Sequence, residues 1–167
     1  MSPADPPRQL VPGFEIERKF LVAEMPGDAA LGRPQRLRQG YLVGVESEEV
    51  RIRAADDEQF TLTYKRGRGN VRVEREIALT RAQFDELWPA TEGRRIEKLR
   101  YAVAIGGATA YLDVYEGELA GLRTVEVEFR SEAAQRSFSP PPWFGPDVTD
   151  DVAYTNRALA MQGPPRA

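Results

Sequence analysis

The chain has 167 residues, enough for one domain with a real core and too few for two comfortable ones. Its 41% hydrophobic and 29% charged content and net charge of −3 are those of an ordinary globular protein. They lack the basic excess that nucleic acid or an anionic membrane calls for. Cysteine and histidine are both absent, which excludes disulfides, Ser-His-Asp and Cys-His catalysis, and zinc held by His or Cys.

Residues 1–12 are rich in proline, lack the apolar stretch of a secretory signal, and read as a flexible tail. Residues 13–162 form one pattern of elements, and 163–167 read as a second short tail. No run reaches the roughly 18 apolar residues of a membrane span, and a cysteine-free chain has the cytoplasm as its default location.

From residue 14 onward most segments alternate with the period of two that strands require. Residues 14–20 put Glu15, Glu17 and Lys19 on one face, with Phe14, Ile16 and Phe20 on the other. Residues 39–43, which include Tyr41, form a second expected strand. In 50–53, Arg51 and Arg53 stand together opposite Val50 and Ile52. In 61–65, Lys65 accompanies two threonines opposite Leu62 and Tyr64, and in 71–77 Arg72, Glu74 and Glu76 share a face.

Thr80-Arg81-Ala82-Gln83 is a capping box that opens a helix carrying Phe84, Leu87 and Trp88 and stopping at Pro89. Three more strands come after it. Residues 96–100 align Lys98 with Arg100, 111–115 align Asp113 with two tyrosines, and 125–129 align Glu126 with Glu128. Turns fall at Arg66 to Asn70 and at Ile105-Gly106-Gly107. Ser131 caps a second short helix ending near Phe138, and 156–161 form a third.

Eight adjacent strands joined by short turns predict an α+β domain, mainly β, with a closed antiparallel barrel and short helices packed outside it. Three features turn the charged faces inward. The opposite faces are apolar and need cover, which amphipathic helices supply. Like charges recur two apart (Glu15 with Glu17, Arg51 with Arg53, Glu74 with Glu76, Glu126 with Glu128), and such pairs repel unless a counter-charge lies between them. The signs are also segregated by strand, where a merely soluble face would mix them. A charged lumen calls for an ionic guest: oxygen ligands for a divalent cation and basic forks for a polyanion.

Glu15-Ile16-Glu17-Arg18-Lys19 resembles the ExExK signature of the CYTH, or triphosphate tunnel, superfamily. The order of the later segments also looks like that family's strands: Gln39-Gly40-Tyr41-Leu42, Arg51-Ile52-Arg53, Thr63-Tyr64-Lys65, Arg72 to Glu76, Glu97 to Tyr101, Asp113 to Gly117 and Val125 to Glu128. Trp143-Phe144-Gly145 and Val148 to Asp151, then Tyr154 and Asn156, resemble the C-terminal segment of its short bacterial members.

The resemblance covers residues 14–162 and implies an eight-stranded tunnel that hydrolyses a triphosphate, with inorganic tripolyphosphate the favoured substrate. It places Mg²⁺ or Mn²⁺ on Glu15, Glu17, Glu126, Glu128 and Asp151. It places phosphate on Lys19, Arg51, Arg53, Lys65, Arg72, Lys98 and Arg100, with Glu17, Glu126, Lys65 and Arg72 central to catalysis. Glu74, Glu76, Asp113 and Tyr41 support them, and a homodimer is an expectation of the resemblance alone. The alternatives are a class IV-type adenylyl cyclase, a thiamine triphosphatase and a non-catalytic polyphosphate- or nucleotide-binding module; the last would be expected to have lost some of the glutamates present here.

Overall fold

The computed structural model describes residues 16–27, 30–68, 71–106 and 108–165; the expected tails at 1–12 and 163–167 lie wholly or partly outside them, and Glu15 lies outside them too. Nine strands make one antiparallel sheet: β1 (Ile16–Val22), β2 (Gln35–Val45), β3 (Glu48–Ala55), β4 (Gln59–Arg68), β5 (Val71–Leu79), β6 (Arg95–Ile105), β7 (Ala108–Tyr115), β8 (Arg123–Phe129) and β9 (Phe144–Asp147). Their spatial order is β5-β4-β3-β2-β6-β7-β8-β1-β9. Three short helices accompany them: α1 (Arg81–Leu87), α2 (Glu132–Ser137) and α3 (Asn156–Gln162). No helix among the described residues is long and apolar enough to cross a membrane.

Hairpins build most of the sheet. The β3–β4 turn is carried by Asp56 and Asp57, both with positive φ (53° and 56°), a conformation that aspartate tolerates better than most residues. Thr80 forms the expected capping box with Gln83 at the start of α1, and Ser131 caps α2.

The mainly antiparallel β architecture is as expected, while the strand count differs from eight and closure is not seen among the described residues. A ninth strand, β9, pairs with β1 through Phe20 opposite Asp147 and Val22 opposite Phe144. It holds only four residues, including Gly145 and Pro146, too few for a period-two signal. In addition, β5 and β9 stand at opposite ends of the sheet, and no pairing joins them among the described residues. Closure depends on strand tilt and stagger, which alternation within single strands does not encode.

The two faces carry different cores. On the outer face, Phe84 of α1 packs on Ile52, Ala54 and Phe60, and Phe138, just past α2, packs beside Phe20, Phe144, Val125 and Val127. These helices cover the outside as the sequence implies. The third departs from that expectation. α3 lies on the inner face at one end, where Leu159 and Ala160 are buried with Tyr41, Ile96 and Tyr115. Gly44 faces α3, where the side chains of Met161 and Arg157 come within 2.7 and 3.0 Å of where a Cβ would stand. Near the free edge the outer face is bare: Val73 and Ile77 on β5 are 46% and 59% exposed.

Candidate active site

Period-two alternation aims one side chain in two at the inner face, and the register brings those side chains level across strands. Lys19 of β1 stands opposite Glu126 of β8, and Glu17 opposite Glu128. Arg51 of β3 stands opposite Tyr41 of β2, while Lys65 of β4 lies between Glu49 and Glu74. Together they line a cavity of about 360 Å³ that includes Glu17, Lys19, Tyr41, Arg51, Arg53, Lys65, Glu74, Glu76, Arg100, Glu126, Glu128 and Asp151. Among the sequence candidates, Arg72 stands on β5 opposite Gly67, with its side chain outside the described residues.

Lys98 and Asp113 are placed differently from the rest. Both are wholly buried behind the cavity wall and bonded to each other at 2.6 Å. Lys98, expected to grip phosphate, stands apart from the cavity-lining side chains, fully buried with its ammonium on the Asp113 carboxylate. Asp113 also takes a two-pronged bond from Arg100, at 2.7 and 2.8 Å. Arg100 reaches on to Glu126 at 3.3 Å, and Glu126 meets Lys19 at 3.0 Å.

Burial and charge set the protonation of this cluster. Burial pushes the Lys98 amine down, the Asp113 carboxylate opposes it, and Arg100 adds repulsion, leaving its pKa at about 7. Burial pushes the Glu126 carboxyl up, but Lys19 and Arg100 overcome that and hold it well below the usual carboxylate range. Asp113 is lowered for the same reason, by Lys98 and Arg100 against burial. Arg53 is brought down to about 9 by burial, then by Arg51 and Arg100, and stays charged at neutral pH. Tyr41 is raised to about 12, mainly by burial.

Arg53 is held by a neutral group, which leaves its charge available. Arg53 donates twice to Gln39 Oε1, at 2.8 and 3.0 Å, and Gln39 donates to the Tyr41 hydroxyl at 2.8 Å. Arg51 Nε is buried without a hydrogen-bond partner among the described residues. An unsatisfied buried donor costs about 1–3 kcal/mol, and an anion oxygen in the cavity would relieve it. Lys65 is paired with Glu74 at 3.0 Å, and Glu76 accepts from the Thr63 hydroxyl at 2.9 Å.

For a metal, the donors available are carboxylates. Glu17 and Glu128 are direct cross-strand partners, an arrangement that repels unless positive charge is near. Among the described residues no three acidic side chains gather closely enough to cage a metal unaided.

Sequence reasoning missed part of the wall. Glu49 lies two residues before Arg51, so extending the alternation of β3 would have found it. Thr149, Thr155 and Arg157 come from the C-terminal segment, and nothing in their local pattern marks an inward position.

A CYTH domain model matches residues 13–139. The chain belongs to the CYTH family. An inorganic triphosphatase of Nitrosomonas europaea is 50% identical over 152 residues, 90% of this chain and 99% of that protein. A second, from Acetivibrio thermocellus, is 35% identical over 150 residues, 88% of this chain and 93% of that one. A crystal structure of an inorganic triphosphatase is 47% identical, with a TM-score of 0.72 over 90% of this chain and 97% of that one. CYTH membership thus joins a charged inner cavity to relatives that act on a phosphate chain.

Proposed function

We propose that this CYTH chain is a metal-dependent hydrolase that splits a small triphosphate, with inorganic tripolyphosphate as its substrate. The supporting observation is the cavity itself: Lys19, Arg51, Arg53, Lys65 and Arg100 converge with Glu17, Glu126 and Glu128 in about 360 Å³. Phosphoryl transfer asks chiefly for positioning and charge neutralisation, and this set of side chains provides both.

Arg51 offers its unpartnered Nε to a phosphate oxygen, Arg53 and Arg100 the guanidinium N–H groups not taken by Gln39 and Asp113, and Lys19 and Lys65 act as point charges. Arg72 completes that set on the strength of the family signature. Glu17, Glu126, Glu128 and Asp151, with Glu15, would hold Mg²⁺ or Mn²⁺. Such ions commonly take one or two carboxylates and complete their shell with water and substrate phosphate, so a site without a full protein cage fits them. The cation supplies neutralisation of phosphate charge and acidifies water.

With no histidine in the chain, the proton of the attacking water passes to a carboxylate, and Glu17 is assigned that part. Water oxygen bonds to the terminal phosphorus, the bridging P–O bond breaks, and the pyrophosphate charge that develops faces Arg51 and Arg53. Lys98 and Asp113 hold Arg100 from behind.

Purified protein is expected to release phosphate from tripolyphosphate with Mg²⁺ or Mn²⁺, well above its action on ATP or thiamine triphosphate. Cyclic AMP and pyrophosphate from ATP would make it a cyclase instead. Binding of tripolyphosphate without turnover under either metal would make it a sensor.

A further inference from the structure

The C-terminal segment is fastened to the sheet at two points, along β1 and at the end of β2. Val148 donates its N–H to Lys19 O at 2.8 Å, and Lys19 donates its own N–H to Thr149 Oγ1 at 3.0 Å. Beyond it, Arg157 of α3 donates to the carbonyl of Val45. Between these anchors stands Asn156, the first residue of α3, whose side chain lines the cavity.

Asn156 Oδ1 accepts two hydrogen bonds, from Lys98 Nζ at 3.3 Å and from the Tyr115 hydroxyl at 2.9 Å. Lysine only donates, so the amide atom facing it is the oxygen. Lys98 and Tyr115 are cross-strand partners on β6 and β7, with Nζ 5.2 Å from the ring centroid. From Lys98 the contacts run unbroken through Asp113, Arg100 and Glu126 to Lys19. Their buried end is Lys98 and Asp113; their other end faces the cavity.

Lys98 has two hydrogen-bond acceptors here, and one of them, Asp113, is shared with Arg100. Without Asn156 Oδ1, Lys98 would draw on Asp113 alone and compete with Arg100 for it. We infer that Asn156 is a positioning residue: by holding Lys98, it fixes how Asp113 aims Arg100 at a bound phosphate chain, and so makes site geometry depend on the docking of α3. This inference rests on the triphosphate reading of the cavity.

The test is calorimetric titration of metal-free protein with tripolyphosphate between pH 6 and 10, which reads the site whether or not turnover occurs. The charged and titratable groups around Lys98 are Asp113 and Tyr115 on β7, Arg100 on β6, Glu126 on β8 and Lys19 on β1. Binding should weaken as pH rises through the Lys98 titration, because a cation is lost. Asn156→Ala is expected to weaken binding about tenfold at pH 8 and move that midpoint down, since a bond to the ammonium is gone. Asn156→Asp keeps an oxygen in place and adds a negative charge, so it should move the midpoint up by about one unit.

Wild-type affinity and midpoint in Asn156→Ala would overturn the inference. So would shifts of the same sign in both variants, the mark of a merely structural disturbance. If Asn156→Ala does not fold, the upward shift in Asn156→Asp decides alone. Wild-type protein that binds but does not hydrolyse would remove the hydrolase reading and leave this comparison standing.

Discussion

At the scale of single residues, the cavity separates charges that work from charges that hold. Glu126 touches Lys19 and Arg100, and its carboxylate is kept ionised by both. Glu126→Gln preserves shape but removes the carboxylate that Lys19 and Arg100 share, leaving Arg100 with Asp113. We expect turnover of tripolyphosphate to fall by at least about 100-fold, the scale of losing one element of a preorganised charge site, with the circular dichroism spectrum unchanged. Near-normal turnover would remove Glu126 from the machinery.

Lys98 gives a different signature. Its folded pKa of about 7 lies below the ordinary lysine value of 10.5, so between those values the unfolded chain binds the extra proton. Stability from this group is therefore fully present above about pH 10.5 and is lost as pH falls through 7. Wild type should gain thermal stability relative to Lys98→Met on going from pH 6.5 to 9.5; melting curves at both values check the sign, and a gap that narrows the other way would contradict it. Which residues face inward was legible: the alternation placed Glu17, Lys19, Arg51, Arg53, Lys65, Glu126 and Glu128 on one face. What alternation cannot tell is depth. Lys98 and Arg100 read alike in sequence, yet one is sealed behind Asp113 and the other lines the cavity.

At the scale of elements, local chemistry fixed some pieces and tertiary packing the others. α1 begins at a Thr80–Gln83 capping box and buries Phe84 completely against Ile52, Ala54 and Phe60 on the outer face. Phe84→Ala should cost about 3–5 kcal/mol of stability through the cavity it leaves, while the KM for tripolyphosphate at 20 °C stays within about twofold, because the sheet separates that core from the inner cavity. Urea unfolding beside steady-state kinetics checks both halves; a large KM change with little loss of stability would mean that the two faces are coupled. β9 and the inner position of α3 escaped the sequence for reasons of range. β9 owes its existence to β1, and α3 its place to an apolar nest of Tyr41, Ile96 and Tyr115 contributed by three strands. Neither partner is near in sequence.

At the scale of the whole molecule, the decisive property is a sheet that lines a charged cavity and, among the described residues, ends in two edges. β6 and β7 sit in its middle, each bonded on both sides, while among the described residues β5 bonds only to β4. Hydrogen bonds with one side open to water exchange through small local openings, whereas central strands exchange only when much of the fold opens. Amide exchange should therefore be fast at those β5 amides that point away from β4, and slowest in β6 and β7. A bound phosphate chain changes that ranking for a physical reason. Lys65, Glu74 and Glu76 line the cavity from β4 and β5, so a charged guest held between them and Arg51 or Arg100 ties the free edge to the centre. Tripolyphosphate with a non-turnover cation should slow exchange across β5 more than across β6 and β7, where little remains to be gained. Mass-spectrometric exchange with and without the ligand measures this directly. Uniform slow exchange in the free protein would mean that the edges are joined in solution, and protection confined to β6 and β7 would mean that the guest never reaches the β4–β5 wall.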